Sequence, residues 1–219
     1  MAKKKQLPEE IAHSEAYVKD FFDMAVPSAI RFNVDHFICG DSYRSVWAIR
    51  EYPPQTSDQA LLARFGDKEA VTVHLYTRLV DGVEQRKILQ NASRKNKLLA
   101  NSNDLEDSVT GEGNLGDVVE LLGELRKNRE PLLHCAVFIE LSAGNLDKLR
   151  ELQSDVSMEM TREKISVDHL SMRQKEGFIA CMPCGYNIFG TQYERVLPAS
   201  AVANLFPFNY SGKTDRKGF

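Results

Sequence analysis

A chain of 219 residues, 42% hydrophobic and 27% charged, has the material for one sizeable globular core. Its net charge of −3 and pI near 6.0 create no global field that would draw it to nucleic acid. Four cysteines are too few for a disulfide scaffold at this length, and the longest apolar run, Leu132 to Leu141, is about half of a membrane span.

The basic run Lys3-Lys4-Lys5 has no apolar stretch after it, so it reads as a solvated tail over residues 1–12 rather than a signal peptide. From Ser14 to Met24 the pattern predicts a helix with Tyr17, Val18, Phe21 and Phe22 on one side. "FNVDHFICGDSYRSVWAIREY" predicts two strands around a turn at Gly40-Asp41-Ser42. In the second of these strands Tyr43, Ser45, Trp47 and Ile49 alternate with Arg44, Val46, Ala48 and Arg50. A short helix from Ser57 to Gly66 follows Pro53 and Pro54.

Ala70 to Leu79 alternates as a strand, with Val71, Val73 and Leu75 against Thr72, His74 and Tyr76. Two helices are predicted next, one charged from about Val83 to Ala100 and one carrying Leu115, Val118, Val119, Leu122 and Leu125. The polar stretch "NSNDLEDSVTGEGN" between them reads as a loop. "LLHCAVFIEL" is apolar on both faces and predicts a covered central strand, with His134 and Glu140 inside it. Asn145 caps a helix with the stripe Leu146, Leu149, Leu152, Val156 and Met160. A strand at Ile165 to Val167 and a helix from about Asp168 to Gly177 complete the pattern. The order predicts an α+β fold on the ferredoxin-like, split βαβ plan. It comprises a mixed sheet, a helical hairpin inserted at 83–128, and an extra N-terminal helix and strand, all within one domain over 13–204.

Several motifs imitate chemistry. Gly212-Lys213-Thr214 ends like a P-loop, but Pro207 stands where that loop needs glycine and it has no backbone N–H to offer a phosphate. Gly111-Glu112-Gly113-Asn114-Leu115-Gly116 matches the dinucleotide fingerprint by letter, yet no strand feeds it and Glu112 would repel a pyrophosphate. Cys181-Met182-Pro183-Cys184 lacks a following helix for redox work and a second ligand pair for zinc. It reads as incidental packing, and Cys181 and Cys184 are the metal candidates that the sequence offers. His169 is the nearest histidine, while His36, His74 and His134 fall on strand patterns as hydrogen-bonded wall residues. No nucleophile or metalloprotease motif occurs, and no residue is assigned as catalytic or cofactor-binding. "LHCAVFIE" also lacks the basic-glycine pair and spaced aromatics of an RNA-binding RRM strand.

The wording of the chain adds a resemblance. "KKKQLPEEIAHSEAYVKDFF", "FNVDHFICGDSYRSVWAIREYP", "LLANSNDLEDSVTGEGNLGDV", "NREPLLHCAVFIEL" and "GTQYERVLPASAVANLFPFNYSGKTDRKGF" together resemble the TraC/TraE-type ATPases of type IV secretion, found in the conjugative integrative elements of Gram-positive bacteria. The resemblance spans about Lys3 to Phe219, with "QYERVLPASAVANLFPFNYSG" its most specific part. It implies a non-catalytic N-terminal domain at the cytoplasmic face of the membrane. ATP and Mg would belong to a P-loop motor beyond this sequence, and no cofactor to this part. The implied partners are inner-membrane secretion components, the motor itself and neighbouring subunits. The expected docking residues are Tyr17, Phe21, Phe22 and the exit segment with Leu205, Phe206 and Phe208, where 205–219 acts as a connector. The alternative is a nucleic-acid-binding module that uses Arg94, Lys95 and Lys97 on the charged helix.

Overall fold

A computed structural model of the chain describes residues 29–53, 61–62, 65, 68–100, 123, 127, 130–183 and 185–205. The elements run β1 (Ile30–Phe32), β2 (Phe37–Cys39), β3 (Ser42–Glu51), β4 (Val71–Leu79), α1 (Gly82–Ala100) and β5 (Leu132–Ala143). They continue with α2 (Leu146–Arg162), β6 (Ser166–Asp168), α3 (Gln174–Cys181), a 3-10 turn at Gly190–Gln192, β7 (Arg195–Pro198) and α4 (Ala199–Leu205). The N-terminal helix, the two glycine-lysine and glycine-rich imitations, and nearly all of the second hairpin helix lie outside the described residues.

The fold is α+β, as expected, and the described residues build one seven-stranded sheet. β5 is its axis. One edge of β5 pairs along its length with β4, from Val71↔Leu141 to Leu79↔Leu133. Its other edge is shared, by β3 from Tyr43↔Ala143 to Ala48↔Phe138 and by β7 from Leu132↔Pro198 to Cys135↔Arg195. The far edge of β3 is shared in turn by β2, at Ser42 to Arg44, and by β6, at Ala48 to Glu51. Every described pairing is antiparallel, which corrects the expectation of a mixed sheet. β3 and β4 do run in the same direction, but β5 lies between them and removes the parallel contact.

Alternation along the strands separates two cores. Trp47, Ile49, Val71, Cys135, Val137, Ile139 and Leu141 face α2, which meets them with Leu149, Val156 and Met160. Asn145 starts that helix by accepting the Lys148 N–H at 2.8 Å on Oδ1. Val46, Ala48, Ala136 and Phe138 face the opposite way, under Leu170, Ala180, Phe189 and Tyr193. Polar residues on this second face, among them His74, His134 and Glu140, therefore sit beneath or beside α3 and the segment after it.

Three local readings change. The last predicted helix begins at Gln174, not near Asp168, because Leu170 and Met172 have φ of +50° and +62°. The Asp168 carboxylate holds the start of that loop by accepting the Leu170 N–H at 2.9 Å. Gly177, taken as a helix end, lies inside α3. Finally, β7 and α4 carry Val202 and Leu205 into the α2-side core, so Leu205 is a core residue of this domain and not an exposed docking residue. The domain extends at least one residue past the expected boundary at 204.

Candidate functional site

Two clusters of ionisable side chains lie on the α3 face. The first gathers Arg44 from β3, His74 from β4, Glu140 from β5 and Cys181 from the last residue of α3. Even-numbered positions on β4 and β5 share one face, so the pairing His74↔Phe138 and Thr72↔Glu140 sets His74 and Glu140 diagonally adjacent. Arg44 Nη1 donates to Glu140 Oε1 at 2.9 Å, and His74 Nε2 stands 3.6 Å from Glu140 Oε2. Burial pushes the Glu140 carboxyl up, but the neighbouring His74 and Arg44 outweigh it and hold the group below the ordinary carboxylate range. A cavity of about 280 Å³ opens beside these groups, bounded also by Thr72, Phe178, Met182 and Pro183.

Cys181 is 6% exposed. Burial, and then the charge of Glu140, raise its thiol well above the ordinary value. Its place at the C-terminal end of α3 works in the same direction, since the helix dipole there disfavours a thiolate. A redox pair needs the opposite setting, so the C-x-x-C has no activated thiol at Cys181. Cys184 lies outside the described residues. His169, the histidine nearest in sequence, stacks on Trp47 with centroids 4.3 Å apart, where it faces the other core.

The second cluster ties α1 to the sheet. His134 Nε2 donates to Glu84 Oε1 at 2.9 Å, and His134 Nδ1 lies 3.4 Å from Glu194 Oε2. Arg78 grips Glu194 through Nη2 at 3.0 Å and Nε at 3.4 Å. Arg78, His134 and Glu194, with Tyr76, Thr77 and Asn187, bound a cavity of about 130 Å³. Asp81 opens α1 by accepting the Val83 and Glu84 N–H groups at 2.7 and 2.8 Å, and those bonds lower its carboxyl pKa. Glu84 is thereby held in the first turn, pointing at His134.

Tyr17, Phe21, Phe22, Phe206 and Phe208 lie outside the described residues. Arg94 and Lys95 are exposed on α1. Sequence reasoning placed His74, His134 and Glu140 on strands but did not join His74 and Glu140 to Cys181. The available signal was polarity out of place, because His134 and Glu140 interrupt a strand that is otherwise apolar on both faces. Compared with known proteins, the chain matches no family model and no curated sequence. Among the described residues no helix is long and apolar enough to cross a membrane.

Proposed function

We propose that this chain is a non-catalytic interaction domain of a conjugative DNA-transfer ATPase, the part that docks the motor to membrane channel components and neighbouring subunits. The resemblance of its wording to TraC/TraE-type ATPases motivates the reading. One structural observation carries it: β7 and α4, the last described elements, bring the chain back onto the central strand and its core. β7 pairs with β5, α4 buries Val202 and Leu205 among the core residues, and the Leu61 N–H donates to Asn204 O at 2.9 Å. The last described residue, Leu205, is therefore anchored on the core beneath the sheet, a placement that suits the root of a connector to a motor. In this reading the order β6-β3-β5-β4 is the split βαβ plan with α1 inserted between its two middle-sequence strands.

The nucleic-acid alternative rests on Arg94, Lys95 and Lys97 of α1, and the net charge opposes it. The deciding experiment is to read the gene beyond the codon for Phe219. A complete G-x-x-x-x-G-K-[ST] in frame is expected, and a stop codon directly after Phe219 removes the proposal.

A further inference from the structure

His74 on β4, Glu140 on β5 and Cys181 at the end of α3 each bring one ligand-type atom to the same point. Imidazole nitrogen, carboxylate oxygen and thiol sulfur lie within 4.8 Å of one another. This donor set suits zinc, which takes nitrogen, oxygen and sulfur at about 2.0–2.3 Å in a tetrahedron. Bonds of that length put neighbouring ligand atoms about 3.3–3.8 Å apart. His74 Nε2 and Glu140 Oε2 are already 3.6 Å apart.

That separation is too long for a hydrogen bond. His74 Nε2 is nevertheless buried and has no hydrogen-bond partner. Such an atom is an exception among native proteins and calls for a cause. The ion pairs with Arg44 and His74 account for Glu140, but they leave Nε2 without a hydrogen bond and the Cys181 sulfur packed at the rim of an apolar core. A cation between the three groups gives each of them a role as ligand.

We propose that His74, Glu140 and Cys181 bind a divalent transition-metal ion of the zinc type, with the fourth position open to the adjoining cavity. Arg44 assists the site. Its bond to Glu140 Oε1 fixes the carboxylate and leaves Oε2 turned toward His74, the support that ligating carboxylates need. Carboxylate and thiolate together balance the two charges of the ion. The cavity of about 280 Å³, with Thr72 on its wall, has room for water or a small solute as fourth ligand. A bound ion would join β4, β5 and α3, so part of its binding free energy becomes folding free energy. The site is independent of the conjugation reading and stands or falls separately.

The test is titration of the chelator-treated full chain with Co²⁺ and Zn²⁺. Saturation at one equivalent is expected, with a thiolate-to-cobalt charge-transfer band and a zinc-dependent rise in thermal midpoint. Cys181→Ser should abolish the charge-transfer band. His74→Gln and Glu140→Gln should each weaken binding by more than about 10–100-fold, the loss that removal of even an outer partner causes. Glu140→Gln keeps the size of the side chain and a carbonyl oxygen for Arg44, so it serves if the buried cysteine variant does not fold. Circular dichroism confirms folding of each variant. No saturable binding by the unaltered chain would overturn the site, as would a charge-transfer band that survives Cys181→Ser, or affinity unchanged in both His74→Gln and Glu140→Gln.

Discussion

Gln174 on α3 lays its carboxamide against the backbone of Val46, accepting the Val46 N–H at 2.9 Å and donating to Val46 O at 3.1 Å. The contact lies where the far edge of β3 has no strand beside it among the described residues. β2 pairs as far as Arg44 and β6 begins at Ala48, so Val46 falls in the gap. Gln174 is 1% exposed and Val46 fully buried, which keeps water from supplying those bonds. A side-chain amide thus replaces one rung of the ladder. The same Nε2 donates to His169 O at 2.8 Å, which also fixes the loop before α3.

Gln174→Leu should therefore destabilise the fold more than its change in volume implies. Each buried backbone group left without a partner costs about 1–3 kcal/mol. Denaturant unfolding followed by the fluorescence of Trp47, the single tryptophan, gives the measurement. A loss below about 0.5 kcal/mol, the range of an ordinary surface change, would mean that the carboxamide is not replacing the rung.

Gly177 makes the same approach from one turn further along α3. A Cβ added there would meet Val46 Cβ at 2.9 Å, Val46 Cγ1 at 3.1 Å and Leu170 Cδ1 at 3.2 Å. Helix propensity favours Gly177→Ala by about 1 kcal/mol. Overpacking against a β-branched side chain on a buried strand opposes it by about 1–3 kcal/mol. The clash should win, and the variant should melt below the parent. A higher melting temperature would show that α3 can move away from β3 at no cost.

The Glu84–His134 bond holds α1 through a contact between helix and central strand. Glu84→Ala leaves His134 Nε2, on a side chain 8% exposed, without that acceptor. The expected loss is about 1–3 kcal/mol. Hydrogen exchange locates it: amides in the first turns of α1 should exchange faster, while those of β5 keep their protection. Uniform acceleration over both elements would instead mean that the ion cluster supports the whole sheet.

What could be read from the sequence divides along physical lines. β3, β4, β5 and α2 were recoverable because each carries a long periodic pattern, and Asn145 marks the start of α2 by its own capping chemistry. β7 and α4 were missed because "RVLP" and "ASAVANL" are too short to establish a period, and pairing with β5 gives them their structure. Gly177 was misread as a stop because glycine serves both helix ends and close approaches, and only the neighbour across the gap, Val46, separates the two. The His74–Glu140–Cys181 grouping needed the register of β4 on β5. Cys181 is 107 residues beyond His74 in the chain, and no local spacing connects them.

Alkaline titration should find Tyr193 among the tyrosines that ionise late, with Tyr52 and Tyr76. Burial first, and then the bond the Tyr193 hydroxyl donates to Asp168 Oδ2 at 2.7 Å, raise its pKa from 10.0 to about 12. The neutral phenol is the form the fold favours, so its contribution to stability is complete below pH 10 and disappears as pH rises toward 12. Tyr193→Phe removes that dependence along with the hydrogen bond. The variant should be less stable than the parent at neutral pH, and the difference should shrink between pH 10 and 12. Tyrosinate absorbance read alongside denaturant unfolding follows both quantities. A difference that stays constant across that range would place the hydroxyl in solvent, and the Asp168 contact would then have no part in holding the loop before α3.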